Sequence, residues 1–442
     1  PSSALTQDGT WTTRTTVTDL AGNVSAPRAG SFVLDTTPPA APAATLSSVS
    51  DSGTVGDSLT HDTTPSISGT GTPGNTISVT FPGGEVKTAV VSADGSWSVT
   101  PTTALTDGLN NITVTATDPA GNVSQPTALP ITIDTTAPSA PAAALASSSD
   151  TGIVGDAKTA DTTPTLTGSG TPGDTITVKD GNGNTIATAT VAPDGSWSAT
   201  PTAALADGLH NLQVTATDPA GNTSAPTTVP VTIDATAPST PAPDVAAASD
   251  TGSSNTDNLT GDTTPEIVGT GTPGDTIKLY APDGTTLLGT AVVDSAGQWG
   301  ITPSSALPTG LNNLQVIATD PAGNTSAPGT VPVTIDTTAP AAPTAVLDPS
   351  SDTGAQGDSL TNDNTPTLSG TGTPGDTITV KDAAGNVIAT ALVAPNGTWA
   401  ATPTTALPDG LSTLSVTATD PAGNTGPATA LPITIDTGAP AA

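Results

Sequence analysis

Aspartate is the residue type whose number and spacing could do chemistry in this chain. The sequence has 39 Asp and Glu against 7 Lys and Arg, a formal net charge of −32, and only Glu85 and Glu266 are glutamates. Short Asp side chains suit loops and turns, and carboxylate oxygens suit hard cations such as Ca²⁺. The same acidity could serve only to keep a long chain soluble. Composition therefore leaves two explanations, cation binding and solubility.

The aspartates recur with a fixed period, marked by a proline-rich stretch at residues 134–141, Asp-Thr-Thr-Ala-Pro-Ser-Ala-Pro. Counterparts begin at Asp35, Asp234 and Asp336, and a truncated copy begins at Asp436, at intervals of 99, 100, 102 and 100 residues. A period of that length indicates an array of whole domains. Proline fixes φ and biases the preceding residue towards extended geometry, so we expect each copy to be a short, stiff linker.

The period divides the chain into four complete repeats and a leading fragment. Because the pattern is already under way at residue 1 and stops inside a linker, we expect the sequence to be a piece of a longer array. The predicted domains are residues 35–133 (repeat 1), 134–233 (repeat 2), 234–335 (repeat 3) and 336–442 (repeat 4, with the start of a further linker), preceded by the C-terminal part of a divergent domain at residues 1–34.

Within one repeat, short alternating segments separated by turn signals predict seven strands, A to G. In repeat 2 they are residues 142–146, 165–170, 175–178 and 186–191, then three strands that carry Trp197, Leu212 and Val229. Turns at residues 171–174 (Thr-Pro-Gly-Asp) and 218–222 (Asp-Pro-Ala-Gly-Asn) separate strands, and no helical period appears. The predicted fold is all-β, a tandem array of seven-stranded immunoglobulin-like β-sandwiches joined end to end.

One tryptophan stands at the same phase of every repeat, at Trp97, Trp197, Trp299 and Trp399. In a chain with 2% aromatic residues, we expect it to fill the core of each sandwich rather than to stack on a sugar. Trp11 comes at a different position relative to the repeat. We therefore expect residues 1–34 to form the last two strands of their domain. The 46 Gly and 44 Pro are typical of disordered chains, but the ordered alternation argues against disorder.

Composition also excludes several partners and chemistries. Cysteine is absent, so neither a disulfide nor a thiolate metal site is possible. With no basic surface to neutralise phosphates, nucleic acid is not an expected partner, and contact with an anionic membrane is not expected either. The two histidines, His61 and His210, lie in different repeats without counterparts, and we expect them to be exposed loop residues. No catalytic constellation is recognisable, so the chain is not expected to be an enzyme.

Several motifs together resemble bacterial Ig-like (Big) repeats: the Asp-Thr-Thr-Ala-Pro linker, the Thr-Pro-Gly-Asp turn, Asp-Gly-Ser-Trp, and Ala-Thr-Asp-Pro-Ala-Gly-Asn. Such repeats fill the extender regions of giant RTX adhesins and biofilm-associated proteins. The resemblance covers residues 35–442. It implies a cell-surface, extracellular protein of a Gram-negative bacterium, exported by type I secretion, whose repeats bind Ca²⁺ near their junctions. Glycine-rich RTX nonapeptides and a ligand-binding tip are not recognisable in these residues.

Strand direction sorts the loops between the two ends of each sandwich. The A–B, C–D and E–F loops and the end of strand G lie at the downstream end, whereas the B–C, D–E and F–G turns lie at the upstream end, facing the preceding repeat. Carboxylates distant in sequence should therefore meet around each linker, where their repulsion favours a cation. The predicted calcium ligands are Asp35 at the first linker; Asp51, Asp57, Asp62 and Asp134; Asp150, Asp156, Asp161 and Asp234; Asp250, Asp262 and Asp336; and Asp352, Asp358, Asp363 and Asp436.

A second tier of candidates has competing explanations. Asp118, Asp218, Asp320 and Asp420 precede Pro-Ala-Gly-Asn, where an Asx turn accounts for the residue as well as a metal does. The E–F acids Asp107, Asp207 and Asp409 complete this tier. The third junction looks weaker, since Ser254 interrupts the loop pattern and Thr309 replaces the E–F acid. Asp180 opens an Asp-Gly-Asn-Gly-Asn turn that imitates an EF-hand, but Val191 stands where the closing Glu is needed.

These features predict a structural extender, a spacer rod that carries an adhesive tip for surface attachment and biofilm formation, stiffened by Ca²⁺ at its linkers. Its expected partners are calcium ions and the neighbouring domains of the same chain, and the ligand of the tip lies outside these residues. Two alternatives stay open. The repeats themselves could bind a surface glycan or protein, or arrays could associate with one another between cells.

Overall fold

The structure is a computed structural model and describes residues 4–439. Its regular elements are β-strands, and within those residues no helix is long and apolar enough to cross a membrane. The chain forms two compact units, which are described separately. Unit 1 comprises Pro1–Asp150, Gly155–Ala157 and Asp161–Ile233, and unit 2 comprises Thr151–Val154, Lys158–Ala160 and Asp234–Ala442.

Unit 1 begins with an antiparallel hairpin, β1 (Gly9–Thr15) and β2 (Arg28–Leu34), in which Trp11 lies opposite Phe32. A further bridge joins Thr18 to Val24, and the same kind of bridge joins Thr117 to Val123 between the last two strands of repeat 1. The hairpin therefore has the same pairing as the last two strands of repeat 1, and its membership of a preceding domain stays a prediction.

The strands of unit 1 repeat with the period of the sequence. Those of repeat 1 are β3 (Ala43–Leu46), β4 (Leu59–Thr60), β5 (Ile67–Thr70), β6 (Thr76–Thr80), β7 (Val86–Val90), β8 (Ser96–Val99), β9 (Gly108–Thr117) and β10 (Thr127–Ile133). Those of repeat 2 are β11 (Ala142–Leu145), β12 (Lys158–Thr159), β13 (Leu166–Ser169), β14 (Thr175–Lys179), β15 (Thr185–Thr190), β16 (Ser196–Ala199), β17 (Gly208–Thr217) and β18 (Thr227–Ile233), of which β12 is assigned to unit 2.

Unit 2 repeats the same elements. Those of repeat 3 are β19 (Asp244–Val245), β20 (Leu259–Thr260), β21 (Ile267–Thr270), β22 (Thr276–Tyr280), β23 (Leu287–Val292), β24 (Gln298–Ile301), β25 (Gly310–Thr319) and β26 (Gly329–Ile335). Those of repeat 4 are β27 (Val346–Leu347), β28 (Leu360–Thr361), β29 (Leu368–Thr371), β30 (Thr377–Lys381), β31 (Val387–Leu392), β32 (Thr398–Ala401), β33 (Gly410–Thr419) and β34 (Thr429–Ile435).

Each repeat is a sandwich of two sheets. In repeat 1 the smaller sheet has the order β3-β5-β8 (strands A, B and E), and the larger has the order β4-β10-β9-β6-β7 (A′, G, F, C and C′). Repeats 3 and 4 have the same two orders, and repeat 2 contains β11-β13-β16 and β18-β17-β14-β15. The all-β, immunoglobulin-like prediction is confirmed.

Two details differ from the sequence prediction. The fourth predicted strand pairs with strand C in the larger sheet, as β14 with β15, and is therefore C′ rather than D. The A–B loop also contains a two-residue strand, A′, which runs parallel to G: β4 pairs with β10. A two-residue strand carries too little alternation to be recognised in a sequence.

The core of each repeat lies between its two sheets, around the tryptophan that recurs at the same position of every repeat. Trp97, Trp197, Trp299 and Trp399 are only 3–5% exposed, which confirms their predicted core position. Strand B passes close to this ring: a Cβ added at Gly69 would lie 1.9 Å from Ala43 O and 2.8 Å from the Trp97 ring. The tryptophan thus fills the volume that a glycine on the neighbouring strand leaves open.

Candidate functional site: the junctions between repeats

The A–A′ loop of one repeat contacts the F–G turn of the next repeat in both units. In unit 1 the loop is residues 47–58 and the turn is residues 218–222 of repeat 2, and in unit 2 they are residues 246–258 and 420–424. Thr54 N donates to Pro219 O at 3.0 Å, and Ser253 N donates to Pro421 O at 3.2 Å. Strand direction predicted that these two loops would meet, and they do.

A hydroxyl group makes the second bond at this contact. Ser52 Oγ donates to Ala220 O at 2.5 Å in unit 1, and Thr251 Oγ1 donates to Ala422 O at 2.6 Å in unit 2. His61 Nδ1 lies 3.0 Å from the same Ala220 oxygen. His61 is therefore part of the contact between repeats 1 and 2, which its position in the sequence did not show.

The linker aspartates hold the chain between the repeats mainly through their backbone. Asp134 O accepts a bond from Asn222 Nδ2 of the next F–G turn at 2.8 Å, and Asp134 Oδ1 accepts one from Thr136 N at 2.9 Å. The same amide-to-carbonyl bond joins Asn122 to Asp35, Asn324 to Asp234 and Asn424 to Asp336. Each linker is thus fastened to the repeat that follows it.

The E–F loop acids fasten the linker to the repeat that precedes it. Asp107 accepts a bond from Thr135 Oγ1 at 2.9 Å, and Asp409 accepts one from Thr437 Oγ1 at 2.8 Å. Asp8 in the leading hairpin accepts bonds from Thr36 and Thr37, which hold the pKa of its carboxyl below the ordinary value. Asp207 occupies the same loop position in repeat 2, whereas Thr309 stands there in repeat 3.

The F–G turn acids form the Asx turns that the sequence offered as their alternative role. Asp118 Oδ1 accepts bonds from the backbone of Ala120 and Asn122, and its Oδ2 accepts one from Asn122 Nδ2 at 2.9 Å. These bonds, that of the Asn122 side chain first, lower the pKa of Asp118. Asp218, Asp320 and Asp420 make the same pair of bonds to the asparagine four residues on.

The first acid of each A–A′ loop has one carboxyl oxygen bonded and the other buried without a hydrogen-bond partner. Asp51 Oδ2 accepts a bond from Gly56 N at 2.5 Å, whereas Asp51 Oδ1 has no partner. The unpartnered oxygen recurs at Asp150, Asp250 and Asp352. In repeat 3 burial is the main cause that raises the pKa of Asp250.

The other loop acids have local backbone partners. Asp57 accepts a bond from Leu59 N at 2.9 Å, and Asp62 accepts one from Thr64 N at 2.9 Å. In repeat 3 Asp257 accepts the corresponding bond from Leu259 N at 3.1 Å. The sequence prediction missed Asp257, because one inserted residue displaces it from the spacing of the other loops, so the third loop is not poorer in acids. An equivalent bond, from the backbone N–H two residues on to the carboxylate, is made at Asp161, Asp262, Asp358 and Asp363.

A second set of buried acids lies at the upstream end of repeats 2 to 4, in the Thr-Pro-Gly-Asp turn between strands B and C. Asp174, Asp275 and Asp376 are 2–3% exposed, and one oxygen of Asp174 and of Asp376 has no hydrogen-bond partner. Burial first, and then the charge of Asp218, raises the pKa of Asp174. Burial, followed by the charges of Asp320 and Asp234, raises the pKa of Asp275. Burial, followed by the charge of Asp420, raises the pKa of Asp376.

In unit 2 these carboxylates face an open cleft. Asp234, Asp275 and Asp320 line a cavity of about 480 Å³ together with Pro238, and Lys158 also lines it. Repeat 1 has Asn75, 4% exposed, where the other repeats have the buried acid. The turn motif pointed to this position, but only the fold shows that the carboxyl group is buried beside the F–G acid.

Among residues 4–439, no group of three or more His, Cys, Asp or Glu side chains is arranged to hold a metal ion. The predicted ligands are instead distributed among separate loops, each with hydrogen bonds of its own. Calcium ligation by the predicted residues therefore stays a prediction.

The sequence predicted that His210 would lie in an exposed loop. It lies instead on β17, where it is half-buried. Its Nε2 lies 2.7 Å from Ala206 O. Asn110 has the equivalent position in repeat 1, and its side chain donates to Thr106 O at 2.9 Å. His210 thus closes the E–F crossover in the way that an asparagine does in repeat 1.

Solved structures with similarity to the chain include several bacterial surface repeats. One is a tetra-tandem repeat in the extending region of a large adhesion protein, 26% identical, covering 90% of this chain and 100% of that chain, with a TM-score of 0.28. Another belongs to a 1.5-MDa bacterial ice-binding adhesin, 24% identical, covering 68% and 98%, with a TM-score of 0.27. A third is the BSP domain of a biofilm associated protein, 12% identical, covering 91% and 97%, with a TM-score of 0.17.

Among curated proteins, no sequence matches the chain. The sequence profile of the bacterial Ig-like domain matches residues 38–135, 136–235, 236–337 and 338–437, one match for each repeat of the sequence and each sandwich of the fold. With four successive matches that cover most of its length, the chain belongs to the bacterial Ig-like domain family.

Proposed function

We propose that the chain is an extender segment of an extracellular, cell-surface adhesin, a spacer that holds an adhesive tip away from the cell. The observation that carries the proposal is the linker. Asp107 of the preceding repeat binds Thr135, and Asn222 of the following repeat binds Asp134 O, so that both neighbours restrain the same few residues. A chain that only connected independent binding domains would not need bonds from both neighbours to one linker.

Calcium is the second part of this proposal, and the residues fit it at two places. Buried carboxyl oxygens without partners occur in the A–A′ loops and in the turn between strands B and C. Such oxygens are costly unless a proton or a cation satisfies them. Bound Ca²⁺ would supply the positive charge that neutralises these carboxylates. Asp174 with Asp218, and Asp275 with Asp320 and Asp234, would hold it beside the linker, together with the predicted linker and loop acids.

The test is to measure the length and the stability of the chain with and without calcium. Sandwiches with strands of roughly 3.3 Å per residue should span about 40 Å each, or on the order of 160 Å for four in line. Small-angle scattering and calorimetry in CaCl₂ and in EGTA are compared, with MgCl₂ as the control for ionic strength. We expect a longer particle and a higher melting temperature in calcium. Equal lengths and equal melting in all three would leave a spacer that needs no metal.

Export by type I secretion and display on a Gram-negative cell belong to the same proposal. They follow from the resemblance of the repeat motifs to adhesin extender regions. Expression of the full parent gene, followed by antibody labelling of intact cells against these repeats, would test display directly. Labelling only after cell lysis would contradict it.

Association between arrays is a second candidate function, favoured by the free edge of the larger sheet. The C′ strand lies at that edge, and it exposes Val86 and Val90 in repeat 1 and Leu287 and Val292 in repeat 3. An exposed strand edge with apolar side chains can pair with another chain. Sedimentation across a range of protein concentrations, in calcium and in EGTA, would show whether arrays associate. A glycan array probed with the same chain would separate both functions from sugar binding.

A further inference from the structure

We propose that the A–A′ loop is a docking site for the F–G turn of a following Ig-like repeat, and that this docking needs no metal. The docking pair is the Ser/Thr–Gly dipeptide of the loop, Ser52-Gly53 in repeat 1 and Thr251-Gly252 in repeat 3. The partner is defined by its chemistry: a Pro-Ala-Gly turn that presents two carbonyl oxygens and has no side chain larger than alanine at its tip.

The hydrogen bonds of the contact involve uncharged groups. The backbone N–H after the loop glycine donates to the proline carbonyl, from Thr54 to Pro219 and from Ser253 to Pro421. The hydroxyl before the glycine donates to the alanine carbonyl. Apart from the His61 imidazole in unit 1, each bonded group is a hydroxyl, an amide or a carbonyl. No carboxylate takes part, so the contact requires no cation to offset repulsion.

The shape of the contact requires glycine on both sides. A Cβ added at Gly53 would lie 2.0 Å from Pro219 O and 2.7 Å from Gly221 N, and one added at Gly221 would lie 2.9 Å from Gly53 N. In unit 2 a Cβ added at Gly252 would lie 1.9 Å from Pro421 O. Distances below 3 Å exclude a side chain, so the two backbones meet directly. The contact therefore selects a Gly-containing turn and rejects bulkier ones.

Burial of the turn shows what the loop covers. Ala220 and Ala422, at the tips of turns that lie against an A–A′ loop, are both 0% exposed. The A–A′ loop therefore covers the tip of the turn that it contacts.

The loop of repeat 4 has the docking geometry without a turn packed on its glycine. Gly354 has a φ of 85°, as a docking glycine requires, and a Cβ added there would meet nothing within 4 Å. Asn362 N donates to Thr353 Oγ1 at 2.9 Å, which matches the bond from Gly261 N to Thr251 Oγ1 in repeat 3. The loop of repeat 4 thus has the same conformation as the loops that contact a turn.

The sequence offers a matched pair of substitutions for the test. Gly53→Ala and Gly354→Ala introduce the same methyl group at the same left-handed backbone position, so both strain the local loop. Only Gly53→Ala also places that methyl group against the next repeat. Ser52→Ala and Thr353→Ala form a second, milder pair, which removes the hydroxyl donor and leaves the backbone conformation unstrained.

The experiment uses the full chain, with cysteines introduced at the exposed positions Thr88 and Thr188 on the C′ strands of repeats 1 and 2. The natural sequence has no cysteine, so two spin labels can be attached without background. Pulsed electron paramagnetic resonance then measures the distance distribution between repeats 1 and 2 in EGTA and in CaCl₂. Circular dichroism confirms that every variant is folded.

In EGTA we expect a narrower distribution for the unsubstituted chain, Gly354→Ala and Thr353→Ala than for Gly53→Ala and Ser52→Ala, and calcium should narrow it further. If Gly53→Ala fails to fold, Ser52→Ala and its control decide. A broad distribution for the unsubstituted chain in EGTA that narrows only in calcium would overturn metal-free docking while supporting the calcium proposal. Narrow distributions for all variants would overturn the role of the Ser/Thr–Gly pair. The failure of each proposal is therefore distinguishable.

Discussion

Replacing the three buried acids of the B–C turns by asparagine should stabilise the metal-free array. The change is Asp174→Asn, Asp275→Asn and Asp376→Asn in one chain. Repeat 1 already has Asn75 at this position, 4% exposed, so the amide fits the fold. The substitutions make all four repeats alike at this site and change the formal net charge from −32 to −29.

The magnitude follows from burial. Asp174 is 2% exposed, and its Oδ2 accepts no hydrogen bond. An unpaired buried acceptor costs about 1–3 kcal/mol, and a charged one costs more. An asparagine amide can donate to the neighbouring Asp218 carboxylate instead of repelling it. We therefore expect each substituted repeat to gain about 1–3 kcal/mol at pH 7 in EGTA, which raises its melting temperature by roughly 4 °C or more.

The pH dependence gives the sign of the effect. Burial, followed by the charge of Asp218, raises the pKa of Asp174 in the folded chain above its ordinary value of 3.8. The folded state therefore binds this proton more tightly than the unfolded state, so the natural chain loses stability as the pH rises through the raised pKa. The gain of the variant should be absent below about pH 4, where both states are protonated, and complete above the raised pKa.

The assay is calorimetry of both chains from pH 3 to pH 8 in EGTA, repeated in CaCl₂. A charge-matched control carries Asp180→Asn, Asp283→Asn and Asp382→Asn in exposed turns. Hydrogen bonds lower the pKa of these acids, that of Asp283 to about 2, so their loss should not stabilise the chain. If the buried acids bind calcium, the B–C turn variant should gain less stability from CaCl₂ than the natural chain.

Two results would refute the reasoning. A B–C turn variant that melts below the natural chain in EGTA at pH 7 would show that the buried carboxylates are satisfied. A gain that the control variant reproduces, or that does not change with pH, would show that net charge rather than burial is responsible.

Three further predictions concern single residues. Trp399→Ala removes a side chain that is 3% exposed and donates to Thr344 O, and it should destabilise repeat 4 by about 3–5 kcal/mol, seen as an early calorimetric transition. Asn222→Ala removes the bond to Asp134 O and should loosen the linker, seen as faster amide exchange at residues 135–137. A hydrogen bond from the Thr102 hydroxyl is the main cause that lowers the pKa of Glu85 from 4.5 to about 2. Glu85 therefore contributes stability above pH 4.5 that is lost as the pH falls towards 2. Glu85→Gln should flatten this pH dependence, measured by acid denaturation.

The strands with clear alternation were predictable from the sequence. Leu212, Val214 and Ala216 on strand F are each 0–1% exposed, as their spacing of two predicted. Strand A′ was not predictable, because its two residues pair only with the distant strand G, and no local pattern records such a pairing. The identity of strand C′ likewise depends on which sheet it joins, which alternation does not encode.

The candidate site was predictable in its location but not in its contacts. Asp and turn motifs placed the acidic loops at the junctions, and the linker Asp134 bonds to both neighbours, through its N to Thr60 O and through its O to Asn222 Nδ2. Asp51 and Asp62 were both predicted as calcium ligands because they are loop carboxylates. The sequence gives no sign that one oxygen of Asp51 is buried without a hydrogen-bond partner. The contact of Ser52 with Ala220 O could not be foreseen, since a hydroxyl near a glycine is common in any loop.

The parallel pairing of A′ with G decides how a repeat responds to pulling. Thr132 N donates to Ser58 O at 2.9 Å and Asp134 N donates to Thr60 O at 3.0 Å, and the chain leaves strand G for the linker at that point. Tension transmitted along the linker therefore acts along these strands, and both bonds are loaded together in shear. Bonds at the end of an antiparallel hairpin would instead open one at a time. In the proposed spacer, the A′–G bonds of one repeat would therefore break together, and the released strands would then lengthen the chain without severing it.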